Sequence, residues 1–211
     1  MKHIHYDTEN YPFRELIEGM VERSDLERLH EGVDHSERFT WEIEQDTVYH
    51  RRIYDKIRDS KFIDYYHSFI ADHIKPLFPD DEIVFQVIPT FRVHYPGNVG
   101  VEAWHKDRDY NHNPKEVNIF MPFTSAFDTN AVWAESEEGK KDFSPIEMDY
   151  GTVAFWDGSN LLHGNKVNIT GQTRVSCDFR VMNFSDYQEP DGDSVISGTK
   201  MTIGSYYGVM E

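Results

Sequence analysis

The stretch Ile83-Val84-Phe85-Gln86-Val87-Ile88, followed after Pro89 by Thr90-Phe91-Arg92-Val93-His94-Tyr95 and then Pro96-Gly97-Asn98, decides the fold class. Two runs rich in β-branched and aromatic residues, punctuated by Pro and Gly, read as two strands and a turn. Working outward toward the C-terminus, residues 99–107, 117–123, 130–134, 152–156 and 175–182 are strand-like in the same way. Several short strands between Gly, Pro, Asn and Asp predict a sandwich or barrel. The tail 184–211 is rich in Gly, Ser and Asp and reads as loop, with a short edge strand predicted at 201–207. Working outward toward the N-terminus, residues 12–78 read as helical. Pro12 opens a helix with Leu16, Ile17, Met20 and Val21 on one side, continued by Leu26 and Leu29 as far as Gly32. A second helix runs through Val48, Ile53 and Ile57. A third, capped by Ser60, carries the stripe Phe62, Tyr65, Tyr66, Phe69, Ile70, Ile74 and Leu77, and Pro76 and Pro79 close it. Helices first and strands later predict a mainly β, α+β chain: one domain over 1–211, with a β core at 82–183 and the helices laid on one sheet.

Composition narrows the function classes. The 211 residues are 38% apolar and 14% aromatic, enough for a packed core and against disorder. The net charge of −17 argues against nucleic acid and anionic membranes, and the basic pairs Arg51–Arg52 and Lys140–Lys141 form no larger cluster. No apolar run approaches the ~20 residues a bilayer span needs. One cysteine, Cys177, permits no intrachain disulfide, and the start MKHIHYDTENYPF has no secretory pattern, so a cytoplasmic location is expected. Composition leaves the oligomeric state open.

The chemistry gathers in two short motifs. In Trp104-His105-Lys106-Asp107, read as a strand, His105 and Asp107 share a face and converge on one metal. His163, 56 residues after Asp107, stands in Leu161-Leu162-His163-Gly164-Asn165. Two histidines and one carboxylate form the facial triad that leaves open positions on Fe(II). A structural zinc site would recruit four ligands, often cysteines, and only Cys177 exists. Arg174 lies 11 residues after His163 and shares a strand face with Ser176. A planar guanidinium beside a hydroxyl suits the distal carboxylate of 2-oxoglutarate. Arg180, 17 residues after His163 and on the same face, is the rival anchor. Asn118 interrupts an apolar run, either to bond the cosubstrate or to satisfy a bulge. Arg92 shares a face with Thr90 and His94, placed to meet an anionic substrate or cosubstrate. Trp104, Tyr110 and Trp133 are candidates for the substrate mouth, and Asn165 for orienting His163. His50, His67, His73, His94 and His112 read as surface or satisfied core residues, and Cys177 as packing.

Three stretches, PTFRVHYPGNVGVEAWHKDRDY (Pro89–Tyr110), TNAVWAES (Thr129–Ser136) and LLHGNKVNITGQTRVSCDFR (Leu161–Arg180), resemble the Fe(II)/2-oxoglutarate-dependent oxygenase superfamily, in particular its streptomycin-biosynthesis-type branch, related to phytanoyl-CoA dioxygenase. The resemblance covers residues 85–183, about half the chain. It implies a double-stranded β-helix (a cupin-like jelly roll), Fe(II), 2-oxoglutarate and O2 as cofactors with ascorbate as a candidate reductant, and oxidation of a C–H bond coupled to conversion of 2-oxoglutarate to succinate and carbon dioxide. Members that halogenate carry a small residue where this chain has Asp107, so hydroxylation of a small polar metabolite, a sugar or amino sugar, is the implied outcome. Two rival readings stand beside it. One is a metal-dependent cupin isomerase or 2-oxoglutarate-independent dioxygenase, which leaves Arg174 and Ser176 without a purpose. The other is a non-catalytic ligand-binding β-sandwich, which leaves the triad without one.

Overall fold

Alternation along the strands decides which side of the sheet meets the helices. The computed structural model describes residues 1–34, 46–100, 103–189 and 198–211. Ten strands are present among them: β1 (Lys2–His5), β2 (Ile83–Gln86), β3 (Thr90–His94), β4 (Val117–Pro122), β5 (Val132–Ala134), β6 (Ser144–Ile146), β7 (Thr152–Trp156), β8 (His163–Gly164), β9 (Arg174–Asn183) and β10 (Tyr207–Met210). Seven form one antiparallel sheet in the order β1-β7-β4-β9-β2-β10, with β3 also paired to β9, and β6-β5-β8 form a smaller sheet. Strand β9 is the spine. One edge pairs with β4, and the other receives β3 and then β2 end to end, His94 opposite Arg174 and Ile83 opposite Asn183. Pro89 sits at the break between β2 and β3, where it has no N–H to give the ladder.

Phe91, Val93, Ile119, Met121, Val153, Val175, Cys177, Phe179 and Val181 all point to one face and are buried. The helices cover that face: α1 (Phe13–Val21), α2 (Val48–Lys56) and α3 (Lys61–Phe69), which continues as a π-helical turn (Ile70–Ile74). Phe62, Tyr66, Phe69, Ile70 and Ile74 of the predicted stripe are buried, whereas Leu77 is exposed. His50 pins α2 to the sheet. Its Nδ1 meets the Thr47 hydroxyl at 2.9 Å, and its Nε2 accepts the Val93 N–H at 3.2 Å. The opposite face of the main sheet is polar around the middle of β9. Apolar clusters flank it: Phe120, Ala154 and Trp156 pack against the small sheet, while Val84, Met182 and Met201 pack with Tyr207.

Four expectations are corrected. Helix α1 stops at Val21, because Glu22 turns left-handed at φ 61°, and Leu26 belongs to a separate 3-10 turn. Ser60 precedes α3, but its hydroxyl donates backward to the Ile57 carbonyl at 2.7 Å instead of capping. The tail's strand is β10, not 201–207; it adds to β2, and the Tyr207 hydroxyl donates to the buried Glu116 carboxylate. Residues 103–107 are not a strand; residues 101–102 lie outside the described set. His105 makes an isolated bridge and Asp107 opens a 3-10 turn (Asp107–Tyr110). No described helix is long and apolar enough to cross a membrane.

Candidate metal centre

Two histidines 58 positions apart meet through the backbone. The His105 N–H donates to the His163 carbonyl at 2.9 Å, and the His163 N–H donates back at 3.0 Å. Residues that exchange both bonds in an antiparallel bridge project side by side, and the two imidazoles lie 4.4 Å apart, centroid to centroid. Asp107 is brought in by a second pair of backbone bonds, from Asp107 and Arg108 to the carbonyls of Gly158 and Ser159. The ligand-capable atoms of His105, Asp107 and His163 all fall within 4.8 Å of one another. The expected convergence therefore holds, although a bridge and a turn produce it instead of a strand.

The protonation pattern shows what these atoms lack. Nδ1 of His105 donates to the Ala103 carbonyl at 2.8 Å, and Nδ1 of His163 to the Leu161 carbonyl at 2.9 Å. A carbonyl can only accept, so in the neutral ring the Nε2 atoms carry lone pairs. Those atoms face Asp107 Oδ1 at 3.3 and 3.4 Å. Three lone-pair donors around one point call for a cation. The other carboxylate oxygen, Oδ2, is held by Arg180 at 2.8 Å and by the Asn118 amide at 2.7 Å. Burial works against ionisation of Asp107, but Arg180 and the two imidazoles outweigh it and hold the carboxyl well below the usual range. The donor set fits Fe(II), whose oxygenase sites use two histidines, one carboxylate and open positions.

The same small cavity contains Arg174, at the start of β9. It is fully buried, and its guanidinium donates to Ser176 Oγ at 3.3 Å and lies 5.5 Å from the Phe120 ring centre. It forms no ion pair among the described residues, and its Nε has no partner. Two other cavity-lining atoms, Asn118 Oδ1 and Trp156 Nε1, are buried without a partner as well. Burial pushes the Arg174 guanidinium down to about 9; Arg92 adds to this and Asp178 opposes it. At neutral pH it remains a charged group in need of an anion.

Other predicted residues sit elsewhere. Arg180 is committed to Asp107 and, at 2.6 Å, to Asp178, so of the two rival anchors it is Arg174 that lacks a carboxylate. Arg92 pairs with Asp178 at 3.2 Å. Asn165 lines the cavity but donates to the Ala131 carbonyl; the Leu161 carbonyl, not Asn165, orients His163. Trp104 packs on Phe143 and covers Gly164, where a Cβ would come within 2.8 Å of the indole. Trp133 turns outward, with Lys166 over its ring and its Nε1 bonded to the Asp128 carbonyl. Tyr110 meets His105 edge-on at 5.0 Å without lining the cavity. Sequence reading missed Asp178, the carboxylate between two arginines, and Trp156, whose ring stands edge-on to His163 at 4.7 Å. The period of two in Arg174-x-Ser176-x-Asp178-x-Arg180 was the available signal for Asp178.

The chain is 36% identical to streptomycin biosynthesis protein StrG of Streptomyces griseus over 207 residues, 97% of this chain and 96% of the relative. This chain belongs to the StrG family. The resemblance of its motifs to streptomycin-biosynthesis proteins is borne out, and the match extends well beyond residues 85–183 to take in the helical layer. No protein-family model matches the sequence. Among solved structures, EctD from S. alaskensis in its apoform overlaps 89% of this chain and 75% of its own, with TM-score 0.49 and 13% identity. CytC3 with Fe(II) and alpha-ketoglutarate overlaps 86% and 72%, with TM-score 0.47 and 14% identity.

Proposed function

We propose that this protein is an Fe(II)/2-oxoglutarate-dependent oxygenase, a single domain built as a double-stranded β-helix, that hydroxylates a C–H bond of a small polar metabolite in the cytoplasm. One observation carries the reading: a single buried cavity contains both the two-histidine, one-carboxylate cluster and a guanidinium that lacks an anionic partner. In the rival readings one of these two features has no use.

His105, Asp107 and His163 would hold the iron, and Arg174 with Ser176 would hold the distal carboxylate of 2-oxoglutarate. Bound together, iron and the keto acid supply the oxidising chemistry that activates dioxygen. The chain's own residues do the rest. The Ala103 and Leu161 carbonyls fix both rings with Nε2 inward. Arg180 and Asn118 occupy Oδ2 of Asp107, which leaves Oδ1 as the ligand atom and keeps the carboxylate ionised. Gly158 permits this, since a Cβ there would come within 2.5 Å of the Asn118 amide. Phe120 and Trp156 wall the cavity and limit its water.

The test is the visible spectrum of protein loaded anaerobically with Fe(II) and 2-oxoglutarate. A weak charge-transfer band is expected, absent in His163→Ala for want of metal binding and in Arg174→Ala for want of the keto acid. Metal binding without a band in the unaltered protein would reject the cosubstrate and favour the cupin isomerase or dioxygenase.

A further inference from the structure

Beside the metal cavity lies a second one of about 390 Å³, large enough for a small metabolite. The two share Arg92 and Arg180 in their walls. Its composition runs against that of the chain. The protein has 38 acidic and 21 Lys and Arg side chains, yet the described residues lining this cavity include Arg58, Arg92, Arg180 and His112 and no acid. Arg92 and Arg180 are matched from behind by Asp178 and Asp107. Arg58, on the turn after α2, forms no ion pair or hydrogen bond among the described residues. His112 is held from behind. Its Nδ1 lies 2.9 Å from Glu116 Oε2, and that buried carboxylate also receives the Asn113 N–H and the Tyr207 hydroxyl. The arrangement fixes the ring and, with Nδ1–H on the carboxylate, leaves Nε2 as an acceptor. Thr90 and Ser205 add hydroxyls, and Tyr206 adds an aromatic wall.

We propose that this cavity receives an anionic group of the substrate, a phosphate or a carboxylate, recognised by Arg58, with His112 Nε2 accepting from a neighbouring hydroxyl of the same substrate. A cationic cavity in an acidic protein selects by attraction within it and by repulsion at the surrounding surface. It also disfavours an amino sugar, whose ammonium would face three guanidinium groups. The identification of the ligand as substrate rests on the oxygenase reading; the binding itself does not.

The experiment is isothermal titration calorimetry on the full chain, with 2-oxoglutarate saturating so that Arg174 is occupied. Glucose 6-phosphate and gluconate are the anionic probes; glucose and glucosamine are the neutral and cationic ones. At least one anion should bind ten-fold or more tightly than glucose, and whichever wins separates phosphate from carboxylate. Arg58→Glu should weaken that anion at least ten-fold, and His112→Asn by a smaller factor. The idea is overturned if neither anion binds, if glucosamine or glucose binds as well as the anions, or if Arg58→Glu leaves anion affinity unchanged. Separate titrations of 2-oxoglutarate into the same proteins keep the two readings apart. Loss of keto-acid binding with anion binding intact would remove the oxygenase reading alone, and the reverse result would remove only the cavity's assignment.

Discussion

Strand β9 has two faces of similar burial and opposite chemistry. Val175, Cys177, Phe179 and Val181 point under the helices, while Arg174, Asp178 and Arg180 line the cavities and Ser176 shares their face, bonded to Arg174. The first set is held by removal of apolar surface from water, which has no direction and asks only for volume. The second is held by matched charges and hydrogen bonds, where each atom needs a named partner. Asp178 and Arg180 have theirs within the chain; Arg174 does not. The difference teaches that one strand can specify the fold with its odd positions and the chemistry with its even ones.

The sharpest way to break this comparison is to cut one residue from the apolar face. Phe179 is fully buried and meets Tyr66 of α3 edge-on at 4.9 Å. Phe179→Ala should cost about 3–5 kcal/mol in urea unfolding, while the folded fraction keeps its affinity for Fe(II), because the ligands stand on the other side of the sheet. A cost below about 1 kcal/mol, or loss of metal affinity in folded protein, would mean the faces are not separable.

Acid tests the seam between helices and sheet. His50 accepts the Val93 N–H, and burial, with help from Arg92, pushes its imidazole down to about 3. Its folded-state pKa lies below the ordinary 6.5, so the stability it supports is whole above pH 6.5 and is lost as pH falls toward 3. Between pH 6.5 and 4.5 the loss should be about 2 kcal/mol from this group. His94, pushed down to about 4 chiefly by burial, adds to the acid sensitivity. His50→Gln keeps an acceptor and does not titrate. Urea melts at the two pH values should show a loss about 2 kcal/mol smaller in the variant, and equal losses would show that His50 does not set the acid limit.

The same contrast explains what was legible in the sequence. Runs of β-branched and aromatic residues bounded by Gly, Pro, Asn and Asp marked β2, β3, β4, β7 and β9. The three-residue β6 and the two-residue β8 offer too few positions for a period, and β1 shows no apolar alternation in KHIH. The metal ligands were legible as residue types and spacing, but not as geometry. His105 reaches its place through a backbone bridge to His163, a long-range pairing that local pattern does not encode. Arg174 and Arg180 could not be separated by sequence, since both occupy the polar face. Only the carboxylates on neighbouring elements, Asp107 for Arg180 and none for Arg174 among the described residues, distinguish them. Trp104 and Trp133 line neither cavity, because an aromatic's type does not say which way the backbone turns it.

The smallest expected effect is the most direct probe of the unmatched charge. If Arg174 awaits a carboxylate, the protein without 2-oxoglutarate bears the cost of a buried cation with one hydroxyl contact, at 3.3 Å from Ser176. Arg174→Met removes that charge and keeps most of the volume. Exchanging buried charge for a packed apolar side chain is often neutral or stabilising by about 1–4 kcal/mol, and loss of the Ser176 and Phe120 contacts places this case near the low end, at about 1 kcal/mol. Added 2-oxoglutarate should reverse the order. The unaltered protein should gain about 2.7 kcal/mol at a ligand concentration 100 times its Kd, and the variant should gain nothing. Thermal melts with and without the keto acid, in the presence of metal, read both effects at once. A variant that is several kcal/mol less stable would show that Arg174 already has a structural role in the free protein, and the two faces of β9 would then differ in chemistry but not in purpose.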